Sequence, residues 1–144
     1  VFANGAVLVD PLIGKAGDID TAIISLKMAN GALAVIDNSR KAVYGYDQRA
    51  EVFGSKGQAS VSNDTNSSLI LSSENGIHAE KPLYFFLERY MASFTKEVRM
   101  FVQAIEQDSP VPVDINDGLQ PVLIAAAALR SLKEHRPVLL SEIK

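Results

Sequence analysis

The order of residues predicts an α+β fold: a mainly antiparallel open sheet with helices packed on one face. Three observations carry that prediction. Hydrophobicity alternates with period two through the first two-thirds of the 144 residues. Tight glycine turns, Asn30-Gly31 the clearest, join successive alternating segments. Neighbours joined that tightly must run antiparallel, because parallel strands need a long crossover. The last third then changes to the three-and-four spacing of a helix.

Taken in order, VFANGAVLVD reads as a short strand or hairpin entering a loop, PLIGKAGD. The chain opens on Val in what reads as mid-strand, as a piece of a longer protein would. Thr21 to Met28 alternates, with Ala22, Ile24, Leu26 and Met28 on one face and Thr21, Ile23, Ser25 and Lys27 on the other. Asn30-Gly31 turns it into a partner strand, Ala32 to Asn38. A further strand is expected from Val43 to Phe53, turned by GSKG into Gln58 to Ser62. After a polar loop, Asn63 to Ser67, SLIL and IHAE form a last hairpin around Glu74-Asn75-Gly76.

Phe86, Tyr90, Phe94, Val98, Phe101, Val102 and Ile105 then make one apolar helical stripe, ended by Asp108-Ser109-Pro110. Glu88, Arg89, Lys96, Arg99 and Glu106 lie off that stripe. A second helix is expected from about Asp117 to Lys133, with Asp117 and Gln120 as a capping box and Pro121 in or near the first turn. Its Ala125 to Ala128 run lets another backbone approach closely. Arg136-Pro137 stops it, and Val138-Leu139-Leu140 offers a short terminal strand.

Composition narrows the function. Hydrophobic content of 47% and charged content of 22% are those of an ordinary globular domain. A net charge of −3 supplies no basic field for nucleic acid. Without cysteine there is neither a disulfide framework nor a thiolate zinc site, and His78 and His135 lie too far apart to suggest a metal site. The longest apolar run, Val122 to Leu129, is too short to span a bilayer, and no signal peptide is visible. The expectation is a soluble cytoplasmic protein with no nucleic-acid or membrane partner.

Several stretches invite a chemical reading. GSKG, residues 54–57, has the glycines of a phosphate loop but joins two strands with no helix behind it, so a hairpin turn with Gly54 and Gly57 at positive φ is expected. Lys81 in Glu80-Lys81-Pro82 has no acid, histidine or apolar pocket evident beside it and reads as exposed at an element boundary. Asp18, Asp20 and Asp37 read as solvated loop acids, and both histidines as exposed. The YGYD stretch is different. In a strand, Tyr44, Tyr46 and Gln48 share one face, and Asp47, Arg49 and Glu51 form a charge ladder on the other. Gly45 between the tyrosines lets something approach the backbone, or marks a bulge. The tyrosine face fits half-buried packing with wet hydroxyls, a polyhydroxyl ligand contact, or a subunit interface.

YGYDQRAEVFGSKG, preceded by NGALAVIDNSRKA, resembles the C-terminal domain of the inositol 2-dehydrogenase branch of the glucose–fructose oxidoreductase/inositol dehydrogenase/rhizopine catabolism family. FLERYMASFTKEVRMFVQAI and PVPVDINDGLQPVLIAAAALRSLKEHRPVLL resemble that family's closing helices, so the likeness covers nearly the whole chain. Glu51, Gly54 and Gly57 match a family-wide turn, and YGYDQR with IDNSR the narrower branch.

The resemblance implies a two-domain parent, with a Rossmann NAD(P) domain before an α+β domain that walls the substrate pocket and makes subunit contacts. It implies oxidation of a secondary alcohol of a cyclic polyol or sugar, by hydride transfer to NAD. The family's nucleotide-binding glycines and its aspartate–histidine pair have no counterpart here. Its catalytic lysine lies in an EKP motif of the nucleotide half, so the EKP of residues 80–82 is a decoy. Residues 1–144 are therefore expected to be a C-terminal substrate-binding and oligomerisation domain, inactive alone. It should hold no catalytic, cofactor-binding or metal-binding residue and bind no NAD by itself. Its expected partners are a small polyol or sugar, the missing Rossmann domain and further copies of itself, as a dimer or tetramer. Tyr46, then Tyr44, are the residues that the resemblance carries over as substrate contacts; strand parity puts both on one face and does not separate them. The alternative is a stand-alone, non-catalytic sheet domain that oligomerises or binds carbohydrate.

Overall fold

The computed structural model describes residues 1–143. Among them are seven strands, three α-helices and one 3-10 turn. They divide into two compact units: residues 1–41 together with 111 onward, and Ala42–Pro110. The α+β class holds, and every paired strand is antiparallel. The pairing is distributed over a three-stranded sheet and two separate hairpins.

In the first unit, β1 (Phe2–Ala6), β2 (Thr21–Lys27) and β3 (Leu33–Ser39) lie in that order. Ala3, Ile24 and Ile36 stand in one row, and Leu26 stands opposite Ala34. Alternation assigned the faces correctly, since Leu26 is buried while Ile23 on the other face is 55% exposed. Gly31 takes φ +88 in the β2–β3 turn, where the Met28 amide donates to the Ala32 carbonyl at 2.8 Å.

PLIGK is a short helix, α1 (Pro11–Lys15), rather than a loop. Asp10 caps it by accepting from the Leu12 amide at 2.8 Å, and Pro11 pre-sets the first helical φ.

The closing helix of this unit runs over Ile115–Glu134 and packs on β1. Of its four-alanine run, Ala127 and Ala128 are buried and Ala125 is exposed. The cap is displaced from the expected pair. Asp114 is the N-cap, accepting from the Asn116 and Asp117 amides, while the Asp117 side chain accepts from the Asp114 amide at 2.9 Å. Pro121 consequently lies inside the helix, beyond its first turn. His135 ends the helix at φ +54.

Val138 is not in a strand. It exchanges two backbone hydrogen bonds with Val1, at 2.8 and 2.9 Å, and the chain then enters a 3-10 turn, Leu140–Glu142. Arg136 fastens that turn by ion pairs to Glu134 and Glu142.

The second unit contains two hairpins, β4–β5 (Ala50–Gly54, Gly57–Val61) and β6–β7 (Ile70–Ser73, Gly76–Ala79). Its helix, α2, covers Phe86–Glu106, and the helix of the first unit is accordingly α3. In the GSKG turn only Gly57 uses a positive φ, +141; Gly54 does not need one.

The strand expected from Val43 to Phe53 begins only at Ala50. Residues 43–49 are irregular because their polar groups find partners elsewhere. Gly45 adopts φ +147, and the Tyr46 amide donates to the Leu83 carbonyl at 2.9 Å. The apolar stripe of α2 is present, but neither hairpin packs along it, so Val98 and Ile105 remain 63% and 65% exposed.

Candidate functional site

The YGYD segment, the end of β5 and the start of α2 converge within the second unit. Gly45 makes this possible: a Cβ there would stand 2.7 Å from the Pro82 carbonyl oxygen. Pro82 itself bridges to Thr65, and the Leu83 amide donates to the Asp64 carbonyl at 3.0 Å. Gly45 therefore does let another backbone approach, and that backbone belongs to the same chain.

Asp47 is the hub. Its Oδ1 accepts from Arg49 Nε at 2.8 Å and from Asn63 Nδ2 at 2.6 Å. Its Oδ2 accepts from Arg49 Nη2 at 3.1 Å and from the Tyr44 phenol. Four donors fill the four lone-pair positions of a carboxylate, so Asp47 has no acceptor left for a ligand. The Arg49 guanidinium, the Tyr44 phenol and the Asn63 amide, in that order, hold its carboxyl well below the usual carboxylate range despite partial burial. The sequence suggested a charge ladder facing other strands; Asp47 and Arg49 instead pair with each other.

Asn63 carries the network onward. Its Oδ1 accepts from the Gln48 amide at 2.8 Å and from Arg89 Nη1 at 2.6 Å. Arg89 Nη2 donates to the Gln48 carbonyl at 2.6 Å and more weakly to the Ser62 carbonyl at 3.4 Å. The Arg89 guanidinium also lies 5.7 Å from the centre of the Tyr90 ring.

Outside a strand, parity no longer places the two tyrosines on one face. Tyr44 is 45% exposed, and its phenol is committed as a donor to Asp47, leaving oxygen lone pairs as acceptors. That hydrogen bond, with some burial, raises its pKa. Tyr46 is half-buried, its ring packed edge-to-face on Tyr90 with centroids 5.9 Å apart. Burial raises the Tyr90 pKa against the opposing pull of Arg89, and Tyr46 adds to the rise.

Asn63 and Arg89 were not legible as site residues. Asn63 opens a polar loop, and Arg89 sits on the polar side of a helix, where solvated side chains are the rule. The only signal was their proximity in sequence to turns that bring them back toward YGYD.

Other candidates resolve differently. Lys81, His78 and His135 are exposed, as are Asp18 and Asp37. Asp20 overturns its reading as a solvated loop acid: it is 4% exposed. Its carboxylate accepts from the Leu8, Val9 and Asp10 amides at 2.8, 2.9 and 2.9 Å, and from Thr21 Oγ1 at 2.9 Å. Burial works to raise its pKa, but the backbone amides and Thr21 outweigh it and bring the value down to about 2. Asn38, Ser39 and Arg40 of the IDNSR stretch line a cavity of about 500 Å³ in the first unit, which also reaches Ala128 and Leu132 of α3. Among the described residues no group of three or more His, Asp or Glu side chains converges for a metal, and no helix is long and apolar enough to cross a membrane.

Comparison with known proteins adds the lineage. Residues 4–140 match the family described as "Oxidoreductase family, C-terminal alpha/beta domain". The chain is 50% identical over 143 residues to the myo-inositol 2-dehydrogenase of Thermotoga maritima, covering 99% of this chain and 43% of that protein. Among solved structures, it superposes on a probable dehydrogenase from Thermotoga maritima with a TM-score of 0.94 at 49% identity, over 99% of this chain and 43% of that one. It also superposes on the scyllo-inositol dehydrogenase from Lactobacillus casei, solved with bound cofactor NAD(H) and scyllo-inositol. There the TM-score is 0.86 at 25% identity, over 97% of this chain and 41% of that one. The chain thus spans about two-fifths of the length of these relatives.

Proposed function

The chain belongs to this oxidoreductase family as its C-terminal alpha/beta domain, and from that premise we propose that it is the substrate-binding and oligomerisation domain of an NAD-dependent inositol 2-dehydrogenase. In this reading residues 1–144 are one functional domain of a cytoplasmic protein whose Rossmann half lies elsewhere in the longer chain. The whole enzyme oxidises a secondary alcohol of a cyclic polyol, with NAD as hydride acceptor. Relatives named as inositol dehydrogenases support the substrate class.

The GSKG turn does not fit a dinucleotide phosphate. The one glycine pair resembling a phosphate loop, Gly54 and Gly57, turns a β-hairpin, and no helix begins behind it. NAD is therefore assigned to the rest of the protein, and this chain contributes binding and orientation of the polyol.

The observation that carries the reading is the fixed, partly exposed pair of tyrosines in YGYD. The Tyr46 ring is held against Tyr90, and the Tyr44 phenol is held by Asp47 with its oxygen left to accept. We assign Tyr46 and Tyr44 to substrate contact. Rings fixed before binding lose little freedom when a ligand arrives, and phenolic oxygens suit an uncharged ligand rich in hydroxyls. A substrate panel on the longer protein tests this: NADH formation from inositol isomers and aldoses, with NAD and with NADP. At least one inositol should be oxidised with NAD; a panel without activity on any cyclic polyol sinks the proposal.

The oligomerisation part rests on exposed apolar surface. Phe53, Ile70 and Ile77 of the two hairpins are 81%, 62% and 76% exposed. Such surface is an aggregation liability unless a partner covers it. A dimer or tetramer is expected by light scattering at micromolar concentration; a clean monomer would remove this role. The same surface would suit a stand-alone, non-catalytic module that assembles or binds carbohydrate. The reading frame upstream of Val1 separates the two: an in-frame strand, GxGxxG turn and helix belong to the enzyme, and an immediate start codon to the module.

A further inference from the structure

We infer that Asn63 is a positioning residue for the polyol site, holding the Asp47–Tyr44 pair in register with α2 through both ends of its amide. The inference rests on the assignment of the YGYD tyrosines to substrate contact, and names what fixes one of them.

Both ends of the amide are engaged. Nδ2 donates to Asp47 Oδ1 at 2.6 Å, while Oδ1 accepts both the Gln48 amide at 2.8 Å and Arg89 Nη1 at 2.6 Å. No other side chain of this length that is neutral at about pH 7 offers a donor and a two-fold acceptor at once. A glutamine is one methylene too long for contacts already at these distances. An aspartate has the right shape but no donor, and would turn a carboxylate oxygen toward Asp47.

Asp47 in turn has no lone pair to spare, so its role toward a ligand is indirect: it holds the Tyr44 proton. Arg89 belongs to α2 and Tyr44 to the irregular segment, so Asn63 joins the two elements. Tyr90, the next residue on α2, supports the Tyr46 ring. Both tyrosines are thus referenced to α2, one by packing and the other through the amide of Asn63.

The test is Asn63→Asp in the longer enzyme, compared with wild type at each pH. The introduced carboxyl would face Asp47, which also binds the Arg49 guanidinium and the Tyr44 phenol, on one side, and the Arg89 guanidinium on the other. Two carboxyls at hydrogen-bond distance share a proton at low pH and repel when both ionise. The polyol KM should therefore rise about tenfold near about pH 8 and recover toward wild type near about pH 5.5, with kcat and the KM for NAD little changed. Asn63→Ala, which cannot titrate, should raise the polyol KM at both pH values alike. A wild-type KM in Asn63→Asp at both pH values overturns the inference. So does a loss that is equal at both and follows the melting temperature. If Asn63→Asp does not fold, Asn63→Ser decides: a raised polyol KM at an unchanged melting temperature supports the inference, and an unchanged KM overturns it. Tyr44→Phe and Tyr46→Phe run alongside. If neither affects kinetics, the assignment of the tyrosines fails; if they respond and Asn63→Asp does not, only the role of Asn63 fails.

Discussion

The Tyr44 phenol donates its proton to an Asp47 carboxylate already held by Arg49 and Asn63. A phenol that donates to a fixed anion is harder to ionise, so Tyr44 should titrate above an ordinary tyrosine. Its neutral form is the bonded one. That contribution to stability is present below the ordinary phenol range and is lost as pH rises through the raised value. Following phenolate absorbance with pH, Tyr44→Phe should remove a late-titrating group. Asp47→Asn should move that group back toward its usual range, and an unaltered curve would dissociate the two residues.

In the longer enzyme, Tyr46→Phe and Tyr44→Phe should each lower kcat/KM for the polyol by about 1–2 kcal/mol, the scale of one hydrogen bond between neutral groups. Steady-state kinetics with saturating NAD measure it. Unchanged values for both would return the segment to a packing role.

Gly45→Ala meets two obstacles, φ +147 and the Pro82 carbonyl. Backbone strain of this kind costs roughly 1–3 kcal/mol where it cannot relax. Relieving that strain would pull residues 44–47, and both tyrosines with them, away from Pro82, so the loss should appear in the polyol KM as well as in stability. A crystal structure of the variant should show residues 44–47 displaced from Pro82.

Asp20→Asn would replace a buried anion that accepts three backbone amides and a hydroxyl. Thermal melts should show a fall on the order of 5 °C or more at neutral pH. The sign with pH follows from its lowered value of about 2. The stability that Asp20 supplies is complete above the ordinary carboxylate pKa and drains away as pH falls toward about 2. The gap between wild type and variant should therefore narrow in acid; a gap that stays constant contradicts this role.

Ser131 is wholly buried, accepting from the Ala3 amide at 3.1 Å and donating to the Arg136 carbonyl at 2.6 Å. Ser131→Ala leaves both groups without their partner and should cost about 1–3 kcal/mol. Urea unfolding should show a lower midpoint with the same slope.

Sequence by itself determined the class, the hairpins and the long helices. Each of these is written locally, in the alternation of Thr21–Lys27, in the glycine at 31, 57 or 76, and in the recurring apolar residues of Phe86–Glu106. Capping was legible in kind but displaced, because Asp114 and Asp117 both qualify and only the assembled turn selects between them. Tertiary structure decided the rest. Asp20 looks like any loop acid until three amides of a distant turn close on it. The YGYD segment looks like a strand until Leu83, Asn63 and Arg89 claim the groups that a neighbouring strand would have taken. Local patterns record which conformations are cheap for a stretch of chain. Which polar groups meet across tens of residues is settled by packing, and the candidate site is made of such meetings.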